Sequence, residues 1–318
     1  MARKIKYEEQ AVGSPGVNIY EITKEDITVV IPVLNEEEAI EHVLEELLEE
    51  GYDRILVVDG FSVDNTLELA RKWGVRFVTQ HGLGKAGALI TAIHHVDTPY
   101  ILLMDGDYTY PASEIGKFLH NARRFTQILG VRKAGRENIP LVNRLGNWLI
   151  NKTVNLVYGS NLTDICTGMY LLDTSYARDL DINSKSFDVE VEIAIQSIMS
   201  GNITEVPIMY RERKGVTKLS GWRDGVNIVK TIMAMSMCYN PTFFLSMMAS
   251  FCLVPGVYFV VNQLYVRYMY GEPYWSFGYY SLGLVLLIIG VNAFMLAVSS
   301  LVLRRLENRI IKSIRSMR

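Results

Sequence analysis

Residues 100–107 read Tyr-Ile-Leu-Leu-Met-Asp-Gly-Asp, an apolar run followed directly by two acids. The apolar run Tyr100–Met104 has no polar alternation, which predicts a strand buried on both faces of a parallel sheet. In such sheets, ligands bind beyond the carboxyl ends of the strands. Asp105 and Asp107 stand at that end, and two carboxylates on one loop are hard oxygen ligands for Mg²⁺ or Mn²⁺. Asp-Gly-Asp alone is also a common turn sequence.

Three further strands are predicted upstream, and they alternate with helices. The predicted strands are Ile27–Ile31, which Pro32 ends, then Arg54–Val58 and Arg76–Thr79. The predicted helices are Glu36–Glu50, Thr66–Trp73 and Gly84–His94. The alternation predicts an α/β fold, with a mostly parallel, Rossmann-like sheet that is covered by helices on both faces.

Polar residues follow each predicted strand, and the carboxyl ends of parallel strands share one edge of a sheet. The loops are residues 32–37 (Pro-Val-Leu-Asn-Glu-Glu), 59–66 (Asp-Gly-Phe-Ser-Val-Asp-Asn-Thr) and 82–87 (Gly-Leu-Gly-Lys-Ala-Gly). The last loop resembles a phosphate-cradling turn that opens a helix, although its spacing is not that of a Walker motif. We expect these loops to converge with Asp105 and Asp107 on one crevice.

The C-terminal part contains two charge-free runs, Thr242–Val266 and Tyr279–Leu303. Each exceeds the roughly 20 apolar residues that a spanning helix needs, which predicts a transmembrane hairpin over residues 242–303. Two buried helices of a soluble core are the alternative. Residues 304–318 carry six basic residues and one acid, which predicts a basic cytosolic tail by the positive-inside rule. Residues 1–26 are polar, so we expect an N-terminal extension rather than a signal peptide.

Two further segments have the composition of interfacial helices. Trp222–Tyr239 predicts an amphipathic juxtamembrane helix within residues 221–241. Leu141–Tyr158 is either a second interfacial helix or a helix packed in the ordinary way. Small residues in the hairpin would also suit packing between protomers, so a homo-oligomer is plausible. They are Gly283, Gly290, Ala293, Ala297 and Ser299.

Composition excludes several classes of protein. The formal net charge is −2, which gives no support for a nucleic-acid binder. Three widely spaced cysteines support neither a disulfide framework nor a zinc site. In residues 187–193, the acids Asp188, Glu190 and Glu192 alternate with apolar residues. We interpret them as a solvated face rather than as a helix start near the active site.

In combination, these motifs resemble family 2 glycosyltransferases of the GT-A fold. The resemblance is carried by Ile31–Glu36, by Asp59 with Ser62, Asp64 and Thr66, by Gly84, Lys85 and Gly87, and by Met104–Asp107. Thr163–Gly168 resembles the Asp-x-x-x-Gly motif of the polyprenyl- and dolichyl-phosphate glycosyltransferases. Arg211–Arg213, with Gly215, Lys218 and Ser220, resembles that subfamily's basic motif. The resemblance covers residues 27–239, which include a cytosolic catalytic domain over residues 27–220.

The resemblance implies roles for individual residues. Pro32, Asn35, Glu36, Asp59 and Lys85 are expected to bind the nucleotide-sugar. Asp105 and Asp107 are expected to bind the diphosphate and Mg²⁺ or Mn²⁺. The expected phosphate-binding residues are Arg132, Arg144, Arg213, Lys218 and Ser220. Asp164 is expected beside the sugar or the acceptor, as a catalytic group with Asp107 or as a residue that orients the sugar or a basic side chain.

The reaction that the resemblance implies is an inverting transfer of a hexose or N-acetylhexosamine to dolichyl or polyprenyl phosphate. Tyr108–Pro111 resembles archaeal-type members and favours a UDP-sugar donor. A GDP-mannose-dependent dolichyl-phosphate mannose synthase, transfer to diacylglycerol or protein, and a non-catalytic membrane-tethered scaffold are the alternatives. Gly60 and Thr109 depart from the family pattern, which leaves the contacts to the base and the metal shell open. The expected location is the cell membrane, with two spans and a cytosolic catalytic domain.

Overall fold

The computed structural model describes residues 22–183, 189–200, 202–214 and 240–315. Lys218, Ser220 and most of the predicted amphipathic helix at residues 221–241 therefore lie outside the described residues. The strands are β1 Ile27–Val33, β2 Ile55–Asp59, β3 Arg76–Thr79, β4 Tyr100–Met104, β5 Gln127–Ala134, β6 Met169–Asp173 and β7 Ile203–Met209. The helices are α1 Ile40–Glu49, α2 Thr66–Lys72, α3 Gly84–His95, α4 Gly116–Leu119, α5 Leu141–Tyr158, α6 Thr174–Arg178, α7 Val189–Ser200, α8 Pro241–Tyr270 and α9 Phe277–Arg315.

The strands form one sheet in the order β3-β2-β1-β4-β6-β5-β7. The pairs are parallel except at β6, which runs antiparallel to both β4 and β5. Neighbouring residues of β1 point to opposite faces: Val30 belongs to one hydrophobic core, and Val29 and Ile31 belong to the other. The first core includes residues of α3, α5 and α7, and the second includes residues of α1 and α4. The predicted mostly parallel sheet with helices on both faces is confirmed.

The prediction that Pro32 ends the first strand is wrong, because β1 continues to Val33. Pro32 pairs with Val58 of β2, whereas β4 pairs with β1 only as far as Val30. Pro32 therefore has a strand on one side only, and a proline without a backbone N–H is tolerated at such an edge-like position.

The first helix also begins later than predicted, at Ile40 instead of Glu36. The backbone N–H of Glu36 donates to the Thr66 hydroxyl over 2.8 Å, and that of Glu37 donates to Asp64 over 3.2 Å. These bonds to the loop after β2 hold residues 36 and 37 in a turn. Local periodicity could not show this, because the partners lie about 30 residues away along the chain.

Helices α8 and α9 pack together as a hairpin. Helix α8 and the part Phe277–Leu303 of α9 are long and apolar enough to cross a membrane, with mean hydropathies of 2.0 and 2.4. Gly283 and Gly290 lie against α8, where a Cβ on either would come within 3.0 Å of its atoms. Ala293 and Ala297 are buried as well. The small residues that suggested packing between protomers thus pack mostly inside the hairpin, and they no longer support a homo-oligomer. Helix α9 continues to Arg315, through most of the predicted basic tail.

Helix α5 has the predicted bounds and two different apolar faces. Ile150, Val154 and Val157 are buried in the domain. A second set of apolar side chains is exposed, namely Leu141, Val142, Leu145, Trp148, Leu149 and Leu156. At the C-terminal end of α5, the Val157 carbonyl accepts a 2.5 Å hydrogen bond from Asn240, the residue before α8. The end of α5 therefore lies where the apolar hairpin begins.

Candidate active site

Three non-glycine residues with positive φ lie in the loops that follow β1, β2 and β4. They are Asn35, Phe61 and Tyr108, with φ of 52°, 69° and 69°. Residues other than glycine rarely adopt positive φ, because the backbone is strained there. Strained residues of this kind are concentrated at functional sites. All three loops leave the carboxyl edge of the sheet, so the strain marks the same crevice as the polar loop residues.

The loops after β1 and β2 are locked together by hydrogen bonds. The Asn35 backbone N–H donates to the Ser62 hydroxyl over 2.9 Å, and the Asn35 side-chain oxygen accepts from the Val63 N–H over 2.8 Å. Asp59 is buried, and its two oxygens accept the N–H groups of Phe61 and Ser62, each over 3.1 Å. Asp59 thus shapes the loop that follows β2.

Gly60, a departure from the family pattern, has a structural reason. Its N–H donates to the Val33 carbonyl over 2.8 Å. A Cβ at this position would lie 3.2 Å from that same oxygen. The close approach of the two loops leaves little room for the acidic or amide side chain that usually follows Asp59 in the family pattern.

Asp105 is held by a buried lysine. The Lys85 ammonium lies 2.5 Å from an Asp105 oxygen and 2.6 Å from a Glu190 oxygen. Burial alone would lower the pKa of Lys85, but Asp105 and Glu190 more than offset it, and the pKa lies well above its ordinary value. Lys85 is therefore charged in this structure, and it contacts the Asp-Gly-Asp motif.

Our interpretation of the acids near residue 190 as a solvated face is wrong. The side chain of Glu190 is 7 % exposed, and Glu192 is fully buried. Glu192 accepts the Asn183 N–H over 2.9 Å, while Glu190 contacts Lys85. Asp188 lies outside the described residues. The available signal was the apolar surroundings of Glu190, because Val189, Val191 and Ile193 are core residues.

Asp107 is the second buried acid of the motif. It accepts hydrogen bonds from the hydroxyl and the N–H of Thr109, over 2.5 and 3.2 Å. Arg213 lies 3.4 Å from Asp107 and 3.2 Å from Glu36, so it links the loops after β1 and β4. Burial and the negative charge of Asp105 raise the pKa of Asp107, and Thr109 and Arg213 offset only part of this effect.

Asp105 and Asp107 together fit a divalent cation. The described residues contain no cluster of three histidine, cysteine, aspartate or glutamate side chains that could hold a metal alone. The two carboxylates supply hard oxygen ligands. Burial, and after it the negative charge of Asp105, raises the pKa of Asp107, and a bound cation would offset both effects. A cation held here would need further oxygen ligands from water or from a bound diphosphate.

Gly168 of the Asp-x-x-x-Gly motif lies directly against Asp105. A Cβ on Gly168 would lie 1.8 Å from an Asp105 oxygen, so no larger residue fits without displacing that carboxylate. The Gly168 N–H donates to the buried hydroxyl of Tyr110 over 2.7 Å. The glycine of the motif therefore provides the space in which Asp105 lies.

Asp164 and Arg132 form a closed ion pair. The Asp164 carboxylate accepts two hydrogen bonds from the Arg132 guanidinium, over 2.7 and 2.6 Å, and one from the Arg132 N–H over 3.1 Å. The guanidinium also donates to the Cys166 carbonyl over 3.0 Å. Both partners are buried. Of the roles that the sequence left open for Asp164, this geometry corresponds to the orientation of a basic residue.

Two further basic residues, Arg211 and Lys214, lie against Tyr108. Arg211 forms a bidentate pair with Glu46, with both distances 2.6 Å, and its guanidinium lies 4.2 Å from the centre of the Tyr108 ring. Lys214 approaches the same ring at 4.4 Å. Arg144, in the first turn of α5, donates to the Ile139 carbonyl over 2.9 Å. No sequence motif indicated the role of Glu46.

An open groove of about 550 Å³ lies beside this basic cluster. Tyr108, Asn138 and residues 209–214 contribute to its walls. Arg213, which contacts Asp107, is one of these residues. The groove thus adjoins the acidic site.

Comparisons with known proteins identify the family. The profile of Glycosyl transferase family 2 matches residues 28–181. The chain is similar to the glycosyltransferase AglJ of Haloferax volcanii, with 32 % identity over 70 % of this chain and 76 % of that protein. It is similar to a dolichyl-phosphate hexose transferase of the same organism, with 36 % identity over 67 % of this chain and 95 % of that protein.

Solved structures support the fold. Glucosyl-3-phosphoglycerate synthase from Mycobacterium tuberculosis in complex with uridine-diphosphate matches with a TM-score of 0.57 and 19 % identity. The match covers 65 % of this chain and 79 % of that one. The structural match and the strand order show a GT-A-like fold. The sequence relatives show that the chain is a glycosyltransferase and belongs to glycosyl transferase family 2.

Proposed function

We propose that this enzyme transfers a hexose or N-acetylhexosamine, with inversion, from a nucleoside-diphosphate sugar to dolichyl or polyprenyl phosphate. The product would be a lipid-linked sugar for glycosylation. The observation that carries the proposal is that the acidic site adjoins a groove lined by Arg211, Arg213 and Lys214, in a chain that also carries an apolar two-helix hairpin. The similarity to a dolichyl-phosphate hexose transferase, which extends over 95 % of that protein, supports the same acceptor class.

The donor would bind at the loops after β1, β2 and β4. Pro32, Asn35, Glu36 and Asp59 would border the nucleotide, and Asp105 and Asp107 would hold Mg²⁺ or Mn²⁺ against the diphosphate. The bound cation would stabilise negative charge on the departing nucleoside diphosphate. A UDP-sugar is favoured by the resemblance of Tyr108–Pro111 to archaeal-type members, and GDP-mannose is the alternative donor.

The acceptor phosphate would enter from the groove. One guanidinium nitrogen of Arg213, Nε, is buried without a hydrogen-bond partner among the described residues, and Arg213 contacts Asp107. Arg144, Lys218 and Ser220 remain predicted phosphate contacts, and Arg132 would act through its pair with Asp164.

The acceptor itself would need little help from a general base. A phosphomonoester has a second pKa near 6, so it is largely a dianion at neutral pH. Asp164 already accepts three hydrogen bonds from Arg132, which supports an orienting role over that of a base.

The membrane would bring the acceptor to this site. The exposed apolar side chains of α5, which include Leu145 and Trp148, have the character of a face that inserts into a lipid interface. The bond between Val157 and Asn240 supports this, because it joins α5 to the beginning of the hairpin. The basic residues after Leu303 favour a cytosolic site. Holding enzyme and lipid at one surface raises their effective concentration.

The test is an assay of the full-length protein in lipid nanodiscs with Mn²⁺ or Mg²⁺. Dolichyl phosphate is offered with each of a panel of UDP- and GDP-sugars, and glycolipid is detected by mass spectrometry. We expect a single-sugar dolichyl-phosphate product from a UDP-sugar, and none with dolichol or diacylglycerol. Binding of a donor without formation of any glycolipid would favour the scaffold and contradict the proposal.

A further inference from the structure

Lys85 is shared by two acids that belong to distant parts of the chain. Its side chain is 9 % exposed, and its ammonium lies 2.5 Å from Asp105 and 2.6 Å from Glu190. Asp105 is the more exposed of the two acids, with 30 % of its side chain accessible against 7 % for Glu190. Lys85 and Glu190 therefore form a buried support behind a carboxylate that faces the crevice.

Lys85 contacts two carboxylates, whereas a simple ion pair has one. If Lys85 contacted Asp105 alone, the two charges would cancel, and Asp105 would attract a divalent cation weakly. Glu190 adds a second negative charge at nearly the same distance from the ammonium. The ammonium of Lys85 is thereby shared between two carboxylates, and one cation with two anions leaves a net negative charge on the cluster.

We propose that Glu190 is a positioning residue which divides the charge of Lys85, so that Asp105 stays oriented by the ammonium but remains anionic enough to hold a divalent cation. The inference deepens the proposed function, because it assigns a role beside the same metal-binding acids. It also explains why a carboxylate is buried in the apolar first turn of α7, between the core residues Val189 and Val191.

The other contacts of Glu190 are consistent with this role. Its second oxygen, Oε2, is buried without a hydrogen-bond partner among the described residues. The Tyr170 hydroxyl interacts electrostatically with Glu190 and Lys85. It is also buried without a hydrogen-bond partner among the described residues. Lys85 is thus the cation that holds Glu190 in the described part of the chain.

A purely structural role for Glu190 would have a different effect on cation binding by the variants. If Glu190 only anchored Lys85, loss of either side chain would disorder the site and weaken cation binding. If Glu190 divides the charge, the two losses act in opposite directions. Glu190→Gln leaves the whole charge of Lys85 to Asp105, while Lys85→Met releases Asp105.

The experiment measures free Mn²⁺ by electron paramagnetic resonance, with full-length protein in nanodiscs and saturating UDP at pH 7.5. We expect Glu190→Gln to weaken Mn²⁺ binding about tenfold and Lys85→Met to strengthen it several-fold, the size of effect that close charge pairs produce. In the Lys85→Met background there is no ammonium charge to share, so Glu190→Gln should change the Mn²⁺ affinity less than about threefold. The difference between the effects of Glu190→Gln in the two backgrounds is the coupling that a double-mutant cycle measures. Glu192→Gln is the matched control on the same helix.

Two results would overturn the inference. One is a shift of Mn²⁺ affinity in the same direction for Glu190→Gln and Lys85→Met. The other is an unchanged affinity for Glu190→Gln. The double variant carries no unpaired lysine, so it keeps the test open if a single variant fails to fold. Because the readout is Mn²⁺ binding, a failure of sugar transfer to lipid phosphate would contradict the proposed function without deciding this question.

Discussion

The Arg132–Asp164 pair and the Lys85 cluster are both buried, and both lie beside the segment Thr163–Gly168, but their charges are balanced differently. Arg132 faces one carboxylate and accounts for three of its hydrogen bonds. Lys85 faces two carboxylates, and the neighbouring Asp107 adds further negative charge. The first arrangement is closed, and the second retains charge that a cation could neutralise.

The difference separates carboxylates that hold the protein together from those that remain available to a ligand. A buried ion pair with every hydrogen bond made is costly to break but offers nothing to a ligand. A cluster with excess negative charge costs stability in the metal-free state, and binding of a divalent cation would relieve that cost. Substitutions in either arrangement test this difference.

Asp107→Ala removes one acid from the open cluster. We expect glycolipid formation to fall about a thousandfold, the cost of removing a group that stabilises charge in the transition state. Asp53→Ala is the matched control, because Asp53 is an exposed acid just before β2, at the opposite edge of the sheet. Transfer at the wild-type rate by Asp107→Ala would remove the open cluster from the mechanism.

Asp164→Asn breaks the closed pair and leaves the buried Arg132 guanidinium without its counter-charge. We expect a loss of about 3 kcal/mol in the free energy of unfolding, because an unpaired buried charge is costly. Thermal unfolding followed by circular dichroism would show it. Asp105→Asn should cost much less, since Lys85 keeps Glu190 as a partner. Equal losses from the two substitutions would erase the distinction between closed and open arrangements.

Gly168→Ala places a Cβ where an Asp105 oxygen lies, at a separation of 1.8 Å. We expect the Asp105 carboxylate to move and transfer to fall about a hundredfold, the scale of a 1 Å misplacement in an active site. Gly146→Ala is the control, because its added Cβ meets nothing within 4 Å. Initial rates at matched protein stability are the measurement, and a normal rate for Gly168→Ala would mean that Asp105 has freedom to move.

Asp107→Asn should stabilise the metal-free protein. A carboxyl group whose pKa is raised by folding contributes stability below its unfolded pKa, and this contribution is lost as the pH rises through the folded pKa. At pH 8 the variant avoids that loss, so we expect its melting temperature to exceed that of the wild type by about 2–4 °C. The difference should shrink at pH 4, and a lower melting temperature at pH 8 would show that Asp107 is fully compensated.

The bounds of a strand or helix were predictable where a local sequence pattern determines them. The bounds of β4 and α5 follow from an unbroken apolar run and from helical periodicity, and the structure has them as predicted. The end of β1 and the start of α1 were mispredicted, because the distant partners Val58, Thr66 and Asp64 decide them.

The convergence of the predicted loops could be expected from the sequence, but the contacts between their side chains could not. Motif resemblance brought together the loops after β1, β2 and β4, and the structure places them at one edge of the sheet. It could not show that Lys85 contacts Asp105, or that Glu190 is buried beside it, because both depend on side chains from α3 and α7 meeting behind β4. The balance of charge around Asp105 therefore depends on contacts that form only in the folded protein.

A titration of the full-length protein with Mn²⁺ in the presence of UDP, with GDP in parallel, tests the cation site. We predict that the wild type binds one Mn²⁺ per chain, that Asp105→Asn/Asp107→Asn binds none, and that Arg132→Met/Asp164→Leu keeps its Mn²⁺. Binding that survives the loss of Asp105 and Asp107, or that depends on Arg132 and Asp164 instead, would show that the open cluster is not the cation site.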